Sequence, residues 1–517
     1  MRSIYFTAEH DVFRREVRRF LIREVAPHAD AWEAARRIPR SIFLRMGELG
    51  FLGITGPESA GGAGGDLFHA VAFLEELPRS RMGGFCAAVA VQQFMATPHI
   101  ARHGTAELKR AYLAPSIAGR KVGALAITEP DAGSDVAAIR CSATRDGEDW
   151  VIRGSKTFIT NGADGDFFTV AVRTGPGAGA AGISLILVDA DAPGVRVARR
   201  LDKLGWHCSD TAEIVFDDVR VPSSRLVAGV GEGFAMLMES FQLERLAAAA
   251  VAVGSSQVTL EATLEYMASR EVFGRTLDRL QVLRHRLADL AAELEAARQL
   301  TYHAAWLLQH GERAVGECSM AKLVTTELGK RIADECLQFF GGYGIMEEYP
   351  AARFYRDARA ATITAGTSEV MREIIAKVMI GASAPPEHAR TTAPARPVDP
   401  PAAAPARAVS EVERLMRSLT ERIRPAAARG WSATFHCRIQ GADKPEWTVR
   451  IEDGACRVAE GLQSAPDCVV QLSEETYVGI ETGTVDPRAA VVSGAVKVSN
   501  LGQMIRFIEA FRARPHP

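Results

Sequence analysis

Over roughly the first 120 residues the apolar positions recur every three or four places, as in Val12, Phe13, Val17, Phe20 and Leu21, the spacing of one buried helix face. The glycine-rich turn Gly61 to Gly65 breaks that rhythm. From about Val122 to Val230 the pattern becomes short β-branched and aromatic runs, such as Phe167 to Val172 and Ile183 to Val188, separated by Gly, Pro and Asp. Those runs predict strands. From Glu232 to Ile380, long segments rich in Ala, Leu, Glu and Arg restore the helical period. The expected order is a helical domain over 1–121, a β domain over 122–231 and a second helical domain over 232–381.

Residues 382–408 hold Pro385, Pro386, Pro394, Pro397, Pro400, Pro401 and Pro405 and almost no large apolar side chains. Such a stretch buries no core and reads as a tether. Beyond it, 409–517 reads as a separate α+β unit. Trp447, Val449 and Ile451 alternate with Thr448, Arg450 and Glu452, and Asp453-Gly454 supplies a hairpin turn. Asp486-Pro487 is a helix start, with Asp as cap and Pro in the first turn.

Composition adds limits. A chain of 517 residues exceeds one ordinary core. A hydrophobic content of 47% with 24% charged residues is that of soluble globular proteins, and no apolar run reaches bilayer-spanning length. The N-terminus is studded with charge and lacks the apolar stretch of a signal peptide, so cytoplasmic residence is the expectation. With 61 basic and 63 acidic residues the net charge is -2, so no overall field recruits nucleic acid or an anionic membrane. The eight cysteines are scattered without metal-ligand spacing and read as reduced, packed thiols. No metal site is expected. Gly177 to Gly182 satisfies G-x-G-x-x-G, but strand-like runs flank it on both sides, and a dinucleotide loop must lead into a helix. It reads as a hairpin loop.

Three segments carry chemistry. Ala126-Ile127-Thr128-Glu129-Pro130-Asp131-Ala132-Gly133-Ser134-Asp135 is a turn dense in hydroxyls and amides that can donate to a ring or to phosphates. Lys156 to Gly162 places Phe158 and Thr160 on a strand. Gln338-Phe339-Phe340-Gly341-Gly342-Tyr343-Gly344 runs on through Tyr349-Pro350 to Arg356-Asp357. Taken blandly, these are a polar turn, a core aromatic and a loop whose glycines let the chain bend. Together, and in this order, with Lys203 to Trp206 and Ser209 to Glu213 between them, they resemble the acyl-CoA dehydrogenase family up to about Gly381.

That resemblance implies an all-α N-terminal domain, a central β-barrel or sandwich domain and a C-terminal four-helix bundle. It also implies FAD. Leu125, Ile127, Thr128, Gly133, Ser134, Phe158, Thr160, Thr367 and Glu369 match positions that hold the flavin. Arg270, Phe273, Gln338 and Gly342 match positions that reach the FAD of a neighbouring subunit, so a homodimer or homotetramer is implied. Ser134, Phe241, Arg245 and Gly366 match substrate-contacting positions. An electron-transfer flavoprotein is the acceptor the family uses.

Position 365, where the family often carries its catalytic glutamate, is alanine. Either the enzyme is silent, or the base lies elsewhere. Phe241-Gln242-Leu243-Glu244-Arg245-Leu246 is similar to the isovaleryl- and long-chain-specific branches, whose glutamate sits on an earlier helix, with the long-chain branch matching better. Most helical glutamates are solvated and paired four residues on, but position 248 is alanine and Ala247 to Ala250 stay apolar. In this setting the resemblance implies Glu244 as the base and Ala365 as a backbone N–H for the acyl carbonyl, with Arg245 orienting substrate or base, or forming a structural ion pair. The small residues near 247–250 and 365–366 suggest room for a bulky or branched acyl chain.

The last unit resembles the sterol carrier protein 2 fold through Trp447 to Gly461, Pro466-Asp467 and Ser493 to Val498. Val478, Ile480, Met504, Phe507 and Phe511 are first of all core, and the resemblance adds lipid binding. The leading expectation is an FAD-dependent acyl-CoA dehydrogenase with a tethered lipid-binding domain. A catalytically silent FAD- and lipid-binding protein, and a flavin monooxygenase or oxidase on the same scaffold, are the alternatives. Acyl chain, carrier thioester and pathway are not legible in the sequence.

Overall fold

The computed structural model describes residues 3–175, 179–380, 410–424, 428–482, 485, 487, 490 and 495–511. It divides into two compact units, Met1–His388 and Ala389–Pro517. The tether expected at 382–408, the glycine-loop residues 177 and 178, Asp486 and residues 493–494 lie outside the described residues.

The first unit opens with helices α1 (Ala8–Phe20), α2 (Ala29–Ala35), α3 (Arg40–Glu48), α4 (Leu67–Glu76), α5 (Gly83–Val91), α6 (Pro98–His103), α7 (Ala106–Leu108) and α8 (Ala114–Ile117). Thr7 caps α1 and Asp66 caps α4, each accepting from a backbone N–H of the first turn. The side chain of Gln92, just past α5, accepts from Gly123 N at 2.6 Å and donates to Lys121 O at 3.0 Å. It thereby fixes where the sheet begins.

Strands β1 (Gly123–Ala126), β2 (Ser142–Asp146), β3 (Asp149–Thr160), β4 (Phe167–Arg173), β5 (Ile183–Asp189), β6 (Val195–Arg200), β7 (Thr211–Pro222) and β8 (Leu226–Val227) form one sheet in the order β6-β7-β3-β2-β4-β5-β8, with β1 also beside β4. The two halves meet at a single parallel pairing, Ser142 with Arg173. Trp150, Ile152, Phe168, Val170, Ile186 and Phe216 fill a core between them. The opposite face of β4 and β5 packs Phe167, Leu185 and Leu187 against Ile100, Tyr112 and Leu237 of the helices. Buried on both faces, these strands read as unbroken apolar runs rather than alternating ones.

The chain then returns to helix in α9 (Gly233–Ser269), α10 (Gln281–Gln309), α11 (Val315–Phe339), α12 (Pro350–Ala361) and α13 (Ser368–Ile380). At 37 residues, α9 runs roughly 55 Å. It is flanked by α4, α10 and α11. A Cβ at Gly254 would fall 2.2 Å from the Glu75 carbonyl oxygen, so glycine is what lets α4 and α9 approach this closely. Ala247, Ala249 and Ala250 sit fully buried in the helical core with Phe73 and Leu77. Their small size serves close packing, which removes them as support for a roomy acyl pocket.

The second unit contains α14 (Glu411–Arg422), strands β11 (Ser432–Gln440) to β14 (Cys468–Ser473), α15 (Glu474–Thr482), β15 (Lys497–Val498) and α16 (Leu501–Ala510), while β9 (Glu271–Val272) and β10 (Arg275–Thr276) form a small hairpin in the first unit. The β12 (Glu446–Glu452) to β13 (Ala455–Glu460) turn places Asp453 and Gly454 both in the left-handed region, as an Asp-Gly hairpin requires. The sheet order is β13-β12-β11-β14-β15, with Trp447, Val449 and Ile451 fully buried. Thr448 is buried too, because its hydroxyl donates to Gly461 O at 2.7 Å. Among the described residues no helix is long and apolar enough to cross a membrane.

Candidate active site

The polar turn after β1 is tied to the middle of β3. Thr157 N donates to Thr128 O at 2.9 Å, and the Thr128 hydroxyl donates back to Thr157 O. Beneath the turn, the buried Glu129 carboxylate accepts from Arg140 N at 2.7 Å, Cys141 N at 2.9 Å and Lys156 Nζ at 2.8 Å. Lys156 is fully buried, donates also to Ile127 O at 2.8 Å, and is pushed down from the usual lysine range by burial. Neither Glu129 nor Lys156 was singled out from the sequence, where they stand 27 residues apart. Ile127 is buried, Leu125 and Thr128 are half-buried, and Gly133 and Ser134 are exposed.

Just past Lys156 the β3–β7 register shifts, and Phe158 takes a left-handed φ of 60° with 70% of its surface exposed. A bulky residue in that region is a costly outlier that functional sites tolerate. Thr160 follows in register with Thr211. An outward aromatic beside a donor-bearing turn suits a flat ring system with polar edges.

A second group gathers around α9 and α11. Glu244 is buried, and among the described residues its Oε1 has no hydrogen-bond partner. One turn earlier, Ser240 Oγ is likewise buried and unpartnered. Two orphaned polar atoms on one helix stripe are unusual in a folded core, where such groups are paired. Burial pushes the Glu244 carboxyl up to about 8, with the neighbouring Arg245 charge opposing the shift. Arg245 is itself buried, with Nη1 3.5 Å from Ser319 Oγ and its guanidinium 5.9 Å from the Phe241 ring centre. The solvated helical pair that most glutamates make is therefore not the state of Glu244.

α11 packs against both α9 and α13, and so links Glu244 to the turn before α13. Thr364 N donates to Ala360 O and Ser368 N to Thr362 O. Between them Ala365 and Gly366 take left-handed φ values of 52° and 91°. Among the described residues the Ala365 N–H has no partner. Thr367 caps α13 by accepting from Val370 N at 3.2 Å, and Glu369 is exposed on its first turn.

A third group lies at the far end of α9. Arg270 lies over the Tyr343 ring at 5.6 Å. Phe273 is 97% exposed at the tip of the β9–β10 hairpin with a φ of 51°, and Gln338 and Gly342 are exposed nearby in sequence to Tyr343. Glu244 and Arg270 are 26 residues apart along one helix and its cap, roughly 39 Å. One chain does not bring these two groups together.

Residues 7–120, 124–219 and 231–380 match the acyl-CoA dehydrogenase N-terminal, middle and C-terminal domains, and 412–505 match the SCP-2 sterol transfer family. The chain is 39% identical over 377 residues to a long-chain specific mitochondrial acyl-CoA dehydrogenase of Sus scrofa, covering 72% of this chain and 87% of that protein. Among solved structures, a probable acyl-CoA dehydrogenase from Mycobacterium abscessus is 42% identical with a TM-score of 0.71, covering 72% of this chain and all of that one. A glutaryl-CoA dehydrogenase from Mycobacterium smegmatis in complex with FADH2 is 30% identical with a TM-score of 0.69, covering 72% and 95%. The protein belongs to the acyl-CoA dehydrogenase family of flavin-dependent oxidoreductases and carries an SCP2 domain at its C-terminal end. Its cofactor is FAD.

Proposed function

We propose that this enzyme converts a long-chain acyl-CoA to its trans-2-enoyl thioester, with Glu244 removing the proton next to the carbonyl. The observation that carries this reading is the buried, unpartnered Glu244 oxygen. A carboxylate deprived of water and of donors is a stronger base than one in solution. Its pKa near 8 matches proton abstraction close to neutral pH.

FAD, when bound, supplies the hydride acceptor for the β-carbon. Phe158 would cover one face of its ring, and Thr160, Leu125, Ile127, Thr128, Gly133 and Ser134 would hold its edges, with Thr367 and Glu369 at the α13 end. The exposed, strained Phe158 beside a donor-bearing turn fits such a group. Arg270 at the far cap of α9 from the base, with Phe273, Gln338 and Gly342, serves the FAD of another copy, so the working enzyme is a homodimer or homotetramer.

The free Ala365 N–H donates to the thioester carbonyl, which stabilises the charge that develops as the α-proton leaves. Arg245 orients substrate and base, with Ser134, Phe241 and Gly366 against the acyl-CoA. Reducing equivalents then pass to an electron-transfer flavoprotein. Similarity to a long-chain specific relative favours long acyl chains. The SCP2 unit binds a lipid or acyl chain and, being tethered, raises its concentration near the site.

Anaerobic mixing of the FAD-loaded enzyme with a series of acyl-CoAs tests this. Long-chain substrates bleach the flavin absorbance, and Glu244→Gln slows bleaching by about 10²–10⁴-fold. If no acyl-CoA bleaches the flavin, or Glu244→Gln bleaches as fast as wild type, the mechanism is wrong.

A further inference from the structure

Lys322 lies on α11 and is fully buried. Buried lysines are normally matched by a carboxylate, yet among the described residues no carboxylate oxygen lies within ion-pair distance of its ammonium. Its Nζ instead donates to the backbone carbonyl of Gly366 at 2.5 Å. One turn before it on the same helix, Ser319 Oγ meets Arg245 Nη1 at 3.5 Å. The nearby carboxylates are committed elsewhere: Glu327 accepts from Lys330 and from the Ser368 hydroxyl, and Glu369 is exposed beside Arg372. The charges acting on the lysine are Glu327, Arg245 and Glu369, and burial is the largest influence, pushing it down to about 8.

The carbonyl that Lys322 grips belongs to the strained turn. Ala365 and Gly366 are both left-handed, a conformation that costs a residue with a Cβ and persists only where its surroundings hold it. Thr364 N and Ser368 N anchor the flanks of the turn. Lys322 holds its centre.

We propose that Lys322 is a positioning residue for the reaction: its buried ammonium holds the Gly366 carbonyl and thereby keeps the Ala365 N–H aimed at the thioester carbonyl. The proposal rests on the dehydrogenase reading above. It assigns the charge on Lys322 to the geometry of the carbonyl-binding turn and not to contact with substrate. Because α11 also carries the Ser319 contact to Arg245, the same helix sets the turn and the neighbour of the base together.

The test is the carbonyl stretch of a ¹³C-labelled trans-2-enoyl-CoA bound to the oxidised, FAD-loaded enzyme, read by difference infrared spectroscopy beside steady-state kinetics. Wild type lowers that frequency relative to the free thioester. In Lys322→Met, of similar length but uncharged, the frequency returns most of the way to the free value. There kcat falls about 10- to 100-fold while KM moves much less. Adding Ala365→Gly to Lys322→Met, which relieves the left-handed strain, recovers part of kcat. A Lys322→Met enzyme with full FAD and an unchanged carbonyl shift overturns the proposal.

If Lys322→Met does not fold, the same spectrum taken on Glu244→Gln, from about pH 7 to about pH 10, reads the lysine without the base. The shift weakens as the ammonium loses its proton, and a pH-independent shift overturns the assignment. A wild-type complex with no carbonyl shift overturns the dehydrogenase mechanism itself, whatever Lys322 does.

Discussion

Glu244 owes its chemistry to where α9 runs. On an exposed helix the same residue would titrate in the ordinary carboxylate range, whereas burial without a donor raises it to about 8. At neutral pH most of the free enzyme then holds the proton, and kcat/KM rises about tenfold per pH unit until it levels near pH 8. A profile already flat from pH 6 would show that Glu244 is not the base. The linkage has a definite sign, since the folded pKa is raised. Its contribution to stability is complete below the unfolded value of 4.5 and is lost as pH rises through about 8. The missing partner at position 248 was legible in the sequence, and so was the alanine at 365. The left-handed φ at 365 and the Lys322 contact were not, because residues 322 and 366 meet only when α11 and the turn before α13 are packed.

At the scale of elements, β3 and the turn after β1 act as one piece. Lys156 and Glu129 join them under the surface, and removing one partner leaves a buried charge uncompensated. Lys156→Met is expected to cost about 3–5 kcal/mol, read as a fall in thermal midpoint, and to weaken FAD retention on a desalting column. An unchanged midpoint would place the ion pair among the dispensable ones. Phe158→Ala should behave oppositely: an exposed side chain contributes little to the fold, so the apoprotein midpoint holds while FAD affinity falls. Local patterns had marked both segments as strand and turn. The bulge that turns Phe158 outward depends on the register with β7, which no local periodicity encodes.

For the whole molecule, the hydrophobic clusters fall within one compact unit or the other. A chain ending at residue 388 should therefore fold, bind FAD and keep kcat at saturating long-chain acyl-CoA. If the SCP2 unit binds acyl chains as proposed, kcat/KM with dilute long-chain acyl-CoA should drop relative to the full-length enzyme. Equal kcat/KM for both forms on long chains would remove that role. Size-exclusion chromatography with light scattering should find at least two copies if, as proposed, Arg270 and Phe273 serve the FAD of another copy. Arg270→Ala should then release FAD without changing the apoprotein's midpoint.

Read alone, the sequence determined the succession of helix, sheet, helix and a further α+β unit, because hydrophobic period and turn chemistry are local. It also drew attention to Glu244, through a resemblance to the branches whose base sits on an earlier helix, the alanine at 365 and the absence of a basic residue four positions on. Tertiary structure decided the rest. Packing filled the space around Ala247, Ala249 and Ala250, buried Lys156 against Glu129, turned Phe158 out of a bulge, and set Lys322 on the Gly366 carbonyl. Each of these depends on contacts between residues distant in the chain, whose energies leave no periodic trace along it.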